Sequence, residues 1–130
     1  MTTYTLLPYP GEAILLLTFT SDFNIAKDMA EVTAKVNQFM DAVTEPHFYI
    51  ADTEHLSVSF TEMIQAASAS ARTSGANLHH PNMREFLLVS TNKLISLAGK
   101  GLDSDAFGHV NVHVFETRES ALGYARQQMG

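Results

Sequence analysis

The sequence contains no cysteine, which excludes disulfide bonds, thiolate catalysis and thiolate metal ligands. It also lacks a long hydrophobic run. The longest apolar stretch extends only from Ala13 to Leu17, far short of the roughly 20 residues that a bilayer-spanning helix needs. The first residues have neither the basic start nor the apolar core of a signal peptide. We therefore expect a cytoplasmic protein without membrane insertion, since a chain free of cysteine suits a reducing compartment.

Basic residues are also few. The chain has 8 Lys and Arg against 14 Asp and Glu, for a formal net charge of -6, and its basic residues are scattered rather than clustered. This balance argues against nucleic acid or an anionic membrane surface as a partner. A length of 130 residues suits a single domain, 1–130, with one sizeable core.

The apolar residues of the first half predict strands and a helix. Tyr4 to Leu7 is expected to form an edge strand that ends in the turn Pro8 to Gly11. The uninterrupted apolar run from Ala13 to Phe19 predicts a strand covered on both faces. From Ile25 to Val43 apolar residues recur in steps of four and three, which predicts an amphipathic helix that ends before Pro46.

The second half continues the alternation of strands and helices. Ser59 and Glu62 have the spacing of a capping box, which fixes the start of the second helix. The predicted elements of this half, in chain order, are the strand Phe48 to Ala51, the helix from Ser59, the strand Phe86 to Val89, a short helix from Asn92 to Lys100, the strand Val110 to Phe115, and a helix that Thr117 caps and that runs to Gln128.

This order of elements predicts an α/β fold. Strands that alternate with helices form parallel sheets, because parallel neighbours need crossover connections. The first two strands are joined by a turn that is too short for a crossover, so they should be antiparallel. We expect a single-domain, mixed but largely parallel sheet of about five strands packed with four helices.

Three stretches resemble STAS-like domains of the SpoIIAA-like fold, the group that contains anti-sigma-factor antagonists and the cytoplasmic domains of sulfate transporters. They are Phe48 to Asp52 with the turn and helix start that follow, Phe86 to Val89, and Val114 to Leu122. As an order of elements, the resemblance covers nearly the whole chain. It implies a non-catalytic regulatory or protein-interaction module with a protein partner.

In the antagonists, a partner kinase phosphorylates a serine in an Asp-Ser-Ser-Gly motif at the start of the second helix, and this switches binding. The corresponding segment here, Leu56 to Glu62, lacks the Asp and the Gly of that motif. Ser59 occupies the equivalent place, with Ser57 as second choice. The alternative is that Ser59 is only a helix N-cap, since the capping box accounts for it.

The predicted partner surface is the turn and helix start after the third strand. Ser57, Ser59 and Thr61 are expected to be modification sites or anion contacts there. Asp52 and Glu54 stand at the carboxyl end of the strand, the edge at which open α/β sheets bind ligands, and should shape the local charge. Exposed sheet edges also allow for a homodimer.

Two other functions remain open. The protein could carry or sense a small apolar ligand held between the sheet and the first helix, near Met29 and Phe39. It could also be a small enzyme that uses Asp52, Glu54 or His55 in acid/base chemistry. The sequence contains no glycine-rich phosphate loop and no recognised catalytic signature. We therefore expect a binding protein, without a cofactor, rather than an enzyme.

The histidines do not predict a metal site. His79 and His80 are adjacent and lack a third ligand at a defined spacing. His109 and His113 share one face of the last strand, but four residues of strand separate them by roughly 13 Å, too far for one metal ion. A polar loop and a polar strand face account for these residues.

Overall fold

A computed structural model describes residues 3–55, 81–93 and 112–129. These residues form five β-strands and two α-helices. The strands are β1 (Tyr4–Pro8), β2 (Ile14–Phe19), β3 (His47–Asp52), β4 (Met83–Val89) and β5 (Val112–Phe115), and the helices are α1 (Ile25–Ala42), between β2 and β3, and α2 (Arg118–Met129), after β5.

The strands form one sheet in the order β1-β2-β3-β4-β5. β1 pairs with β2 in antiparallel orientation, because only a short turn joins them. The remaining neighbours are parallel, and the 18-residue helix α1 makes the crossover from β2 to β3. The predicted mixed, largely parallel sheet of five strands is confirmed.

The prediction of four helices is met only in part. α1 and α2 are the first and last of them. The predicted helix from Ser59 lies outside the described residues, as does the predicted helix from Asn92 to Lys100 beyond its first two residues. None of the helices that the structure describes is long and apolar enough to cross a membrane.

The two helices cover opposite faces of the sheet. On one face, α1 contributes Val32, Val36 and Met40, which are fully buried. They pack against side chains of the strands: Leu15, Leu17, Tyr49, Ala51, Phe86 and Leu88. On the other face, α2 contributes Ala121 and Ala125, against Ile14, Leu16, Phe48, Ile50, Leu87 and Val89. Because both faces of β2, β3 and β4 are covered, the buried parts of these strands are mostly continuous apolar runs rather than alternating ones.

Side chains satisfy free backbone groups at both ends of α1. At its start, Oδ2 of Asp28 accepts a hydrogen bond of 2.9 Å from the backbone N-H of Asn24. At its end, Nδ2 of Asn82 donates to the carbonyl oxygens of Met40, at 2.8 Å, and Val43, at 3.1 Å. The last carbonyls of a helix have no partner within it, so Asn82 ties the end of α1 to the start of β4.

Candidate functional site

The carboxyl end of β3 carries an ion pair whose carboxylate is buried. Asp52 is the last residue of β3 and is almost completely buried. Its Oδ2 accepts a hydrogen bond from Nε of Arg118 at 2.9 Å and lies 2.7 Å from Nη2 of the same guanidinium. Its Oδ1 accepts from the backbone N-H of Glu54 at 3.1 Å. A carboxylate can stay charged in such a place only if partners of this kind replace its water.

Arg118 reaches this position from the first residue of α2, which follows β5. Its Nη2 also lies 3.5 Å from Oγ1 of Thr18, near the end of β2. The hydrogen bond to Asp52 raises the pKa of Arg118, against the opposing effect of desolvation. Arg118 therefore joins α2 to the carboxyl ends of β2 and β3.

Buried hydroxyl and amide groups fix the chain around this ion pair. The backbone N-H and Oγ1 of Thr53 both donate to the carbonyl oxygen of Val89, at 3.0 and 2.7 Å. The backbone N-H of Ser90 donates to the carbonyl oxygen of Phe115 at 2.9 Å. These hydrogen bonds connect the residue after β3 to the end of β4, and the residue after β4 to the end of β5. The turn at Glu54 therefore follows a residue, Thr53, that is held in place by hydrogen bonds to β4.

The structure places only some of the predicted site residues. Asp52 faces inward and pairs with Arg118, whereas Glu54 is exposed in the turn that follows. Ser57, Ser59 and Thr61 lie outside the described residues. Sequence reasoning missed Arg118. The available signal was its position just after the last strand, because the carboxyl ends of parallel strands meet at one edge.

The structure describes only some of the residues named for the two alternative functions. Asp52 is bound to Arg118, while Glu54 and His55 are exposed, so these three residues do not line an enclosed cleft. Phe39 packs edge-to-face on the ring of His47, with the ring centres 5.2 Å apart. The structure does not describe the side chain of Met29. In the parts that the structure describes, no group of three His, Asp or Glu residues is arranged to hold a metal ion.

Of the histidines considered as metal ligands, only His113 lies among the described residues. Its Nε2 is 3.0 Å from Oε1 of Glu85 on β4. The hydroxyl of Tyr124 on α2 donates to both oxygens of Glu85, at 2.9 and 3.0 Å. His113 therefore belongs to a polar cluster that helps to hold α2 against β4 and β5.

The comparisons with known proteins agree with this architecture. No family model and no curated protein matches the chain, but solved structures do. One is an uncharacterized protein of the DUF3478 family with a SpoIIAA-like fold, from Shewanella loihica PV-4. It has a TM-score of 0.56 and 10% sequence identity, and the alignment covers 94% of this chain and 91% of that chain.

A second similar structure is an anti-sigma factor antagonist from Mycobacterium paratuberculosis. Its TM-score is 0.52 at 12% identity, over 95% of this chain and 93% of that chain. The protein is therefore an α/β protein with a SpoIIAA-like, STAS-like fold, which confirms the resemblance found in the sequence. At identities this low the likeness concerns the fold alone.

Proposed function

We propose that the protein is a non-catalytic regulatory module that binds a protein partner at the carboxyl end of β3 and the turn that follows. The fold that it shares with an anti-sigma factor antagonist supports this class of function. The observation that carries the proposal is the ion pair between the buried Asp52 and the partly exposed Arg118. It anchors the turn through the N-H of Glu54 and ties the same point to α2.

The anchored turn presents one negative and one positive side chain to a partner. Glu54 is exposed, and the side chain of Arg118 is only partly covered by its contacts with Asp52 and Thr18. Since Asp52 orients the turn from beneath, the exposed groups are held in place before a partner binds, which lowers the entropic cost of binding. A partner surface with complementary charges would gain specificity from this arrangement.

We further propose that phosphorylation regulates this surface, with Ser59 as the first candidate acceptor and Ser57 and Thr61 as the others. A phosphoryl group would add a charge of about -1.5 to -2 to a segment that already carries Glu54. The mass of the protein isolated from its source cells tests this. A phosphate that maps to one of these residues supports the switch, and an unmodified chain under all growth conditions contradicts it.

The Ser59→Ala variant separates the switch from a purely structural role. If Ser59 is only an N-cap, its replacement should cost about 1 kcal/mol of unfolding free energy and leave partner binding unchanged in the folded fraction. If partner binding changes more than stability does, a capping role alone is ruled out.

Site-specific photocrosslinking in source cells tests the partner surface. A photoreactive amino acid at position 54 should yield a covalent adduct with one partner protein. The same residue at position 31 is the control, because Glu31 lies on the exposed side of α1. Adducts from both positions, or from neither, would remove the support for a partner surface at this edge.

Two predictions about the state of the protein in the cell are part of this proposal. The module is expected in the cytoplasm, which fractionation of source cells would establish. A homodimer would double the mass measured by light scattering after gel filtration, whereas a monomer would leave the sheet edges for other partners.

A further inference from the structure

A second polar surface lies at the amino end of the sheet, below the last turn of α2. An open groove of about 730 Å³ is found there. Its charged lining residues are Glu12, Glu45, Arg84 and Arg126, and Pro46 and Met129 are among the others. We propose that this amino-end groove binds a free α-amino acid with an apolar side chain, whose carboxylate contacts Arg84 and whose ammonium group contacts Glu45.

Arg84, which lines this groove, lies at a β-bulge at the start of β4. In the pairing of β3 with β4, His47 lies opposite Met83 and Phe48 lies opposite Glu85, so Arg84 is an extra residue. Bulges redirect side chains and are frequent next to binding sites. The guanidinium carbon of Arg84 lies 4.8 Å from the centre of the Phe48 ring. A guanidinium that is stacked on an aromatic ring can still present its edge to a carboxylate.

Only some of the charged side chains in the groove form ion pairs with each other. Arg126 binds Glu12 through two hydrogen bonds, of 2.8 and 3.2 Å, and lies 5.8 Å from the centre of the Tyr9 ring. Among the residues that the structure describes, neither Arg84 nor Glu45 forms an ion pair. The groove therefore offers one cation and one anion to a ligand.

The position of α2 favours a zwitterion over an anion. Nη2 of Arg84 donates a long hydrogen bond of 3.4 Å to the carbonyl oxygen of Gln128, in the last turn of the helix. The carboxyl end of a helix carries partial negative charge. Because Arg84 lies beside this helix end, the partial charge disfavours a ligand of net negative charge, whereas a zwitterion is neutral overall. Pro46 and Met129 add apolar surface for the ligand's side chain.

Titration of the full chain with L-leucine, followed by amide chemical shifts, tests this proposal. We expect saturable shifts at residues that line the groove. Binding should weaken at least tenfold for 4-methylpentanoate, which lacks the ammonium group, and for isopentylamine, which lacks the carboxylate. An absence of saturable shifts with L-leucine overturns the proposal, as does equal binding of either analogue.

Variants of Arg84 and Glu45 test whether these two charged residues bind the ligand. Arg84→Gln and Glu45→Gln should each weaken L-leucine binding at least tenfold, and both positions are exposed, so the fold should tolerate them. Glu54→Gln, at the opposite end of the sheet, is the matched control and should bind as the wild type does. Unchanged binding by Arg84→Gln would overturn the assignment. Because the two surfaces lie at opposite ends of the strands, this result is independent of the partner surface.

Discussion

Asp52 and Arg118 form an asymmetric pair. The side chain of Asp52 is 2% exposed, whereas that of Arg118 is 40% exposed. If Arg118 is removed, a carboxylate is left buried without a counter-charge, but if Asp52 is neutralised, the guanidinium can still turn to water. The two halves of one ion pair should therefore differ in their effect on stability.

We expect Arg118→Met to lower the free energy of unfolding by about 2 kcal/mol, less than for a fully buried pair because water reaches the guanidinium. Asp52→Asn should cost about 1 kcal/mol, since the amide oxygen can still accept from Glu54. Urea denaturation measures both values. Arg126→Met is the control, because its ion pair is exposed. An equal loss in both variants, or the reverse order, would contradict the asymmetry.

The interaction between Glu12 and Arg126 can be tested by pH titration. Its hydrogen bond with Arg126 lowers the pKa of Glu12 below the ordinary 4.5. The stabilisation that comes from this depressed pKa is fully present above about pH 4.5 and is lost as the pH falls through the lower, folded-state value. In Arg126→Gln the pKa should rise toward 4.5. Carboxyl chemical shifts measured against pH decide this, and the same pKa in both proteins would rule out the interaction.

At the scale of elements, the two helices are held by different means. α1 buries large apolar side chains, whereas the fully buried residues of α2 are alanines. α2 also depends on polar contacts, with Arg118 at its start and Tyr124 near its middle. Burial and the hydrogen bond to Glu85 raise the pKa of Tyr124. Small residues let α2 lie close to the sheet, and its polar contacts fix its position.

Close packing of α2 predicts opposite effects for two substitutions on the same helix. Ala125→Leu should destabilise the protein by about 1–3 kcal/mol, because Ala125 is completely buried and larger side chains strain a filled core. Gly123→Ala is the matched variant. An added Cβ there meets nothing within 4 Å, so it should stabilise by about 0.5–1 kcal/mol. Thermal unfolding of both variants measures these effects. An unchanged stability of Ala125→Leu would show that α2 is not closely packed on the sheet.

The connection between α1 and β4 can be tested at Asn82. The Asn82→Ala variant leaves the carbonyls of Met40 and Val43 without this donor, and we expect a loss of about 1–2 kcal/mol. Asn82→Asp has nearly the same size but lacks Nδ2, and should lose as much. If Asp at this position were fully tolerated in urea denaturation, the donor would not be what matters.

For the whole molecule, the sheet separates two kinds of surface. Its carboxyl end holds the Asp52–Arg118 pair, and its amino end holds the groove with Arg84 and Glu45. Helices on both faces leave the ends of the strands as the places where polar groups gather. In open α/β sheets, ligands usually bind at the carboxyl ends of the strands.

We expect the chain to unfold as one domain. Helices on both faces of a continuous sheet share the same strands, so neither face can unfold without exposing the other. Far-UV circular dichroism and tyrosine fluorescence should therefore give coincident transitions in urea. Two separated transitions would instead show that 1–130 contains more than one cooperative unit.

Much of the fold followed from local patterns. The apolar run before Phe19 predicted β2, and the steps of three and four from Ile25 predicted α1. The polar cap at Thr117 predicted α2, and its Oγ1 accepts from the backbone N-H of Ser120 at 3.1 Å. β4 was predicted to start at Phe86 but begins at Met83, because the charged residues Arg84 and Glu85 interrupt the apolar pattern at its start.

The sequence by itself determined the strands, the two described helices and the antiparallel first pair, because periodicity, capping and turn length act over a few residues. It also located the carboxyl end of β3 as a candidate site. Only the tertiary structure decided that Arg118, 66 residues away, binds Asp52, and that Arg84, the extra residue of a bulge, lines the same groove as Glu45. Such partners depend on strand register and helix docking, which result from packing of the whole chain and leave no local pattern in the sequence.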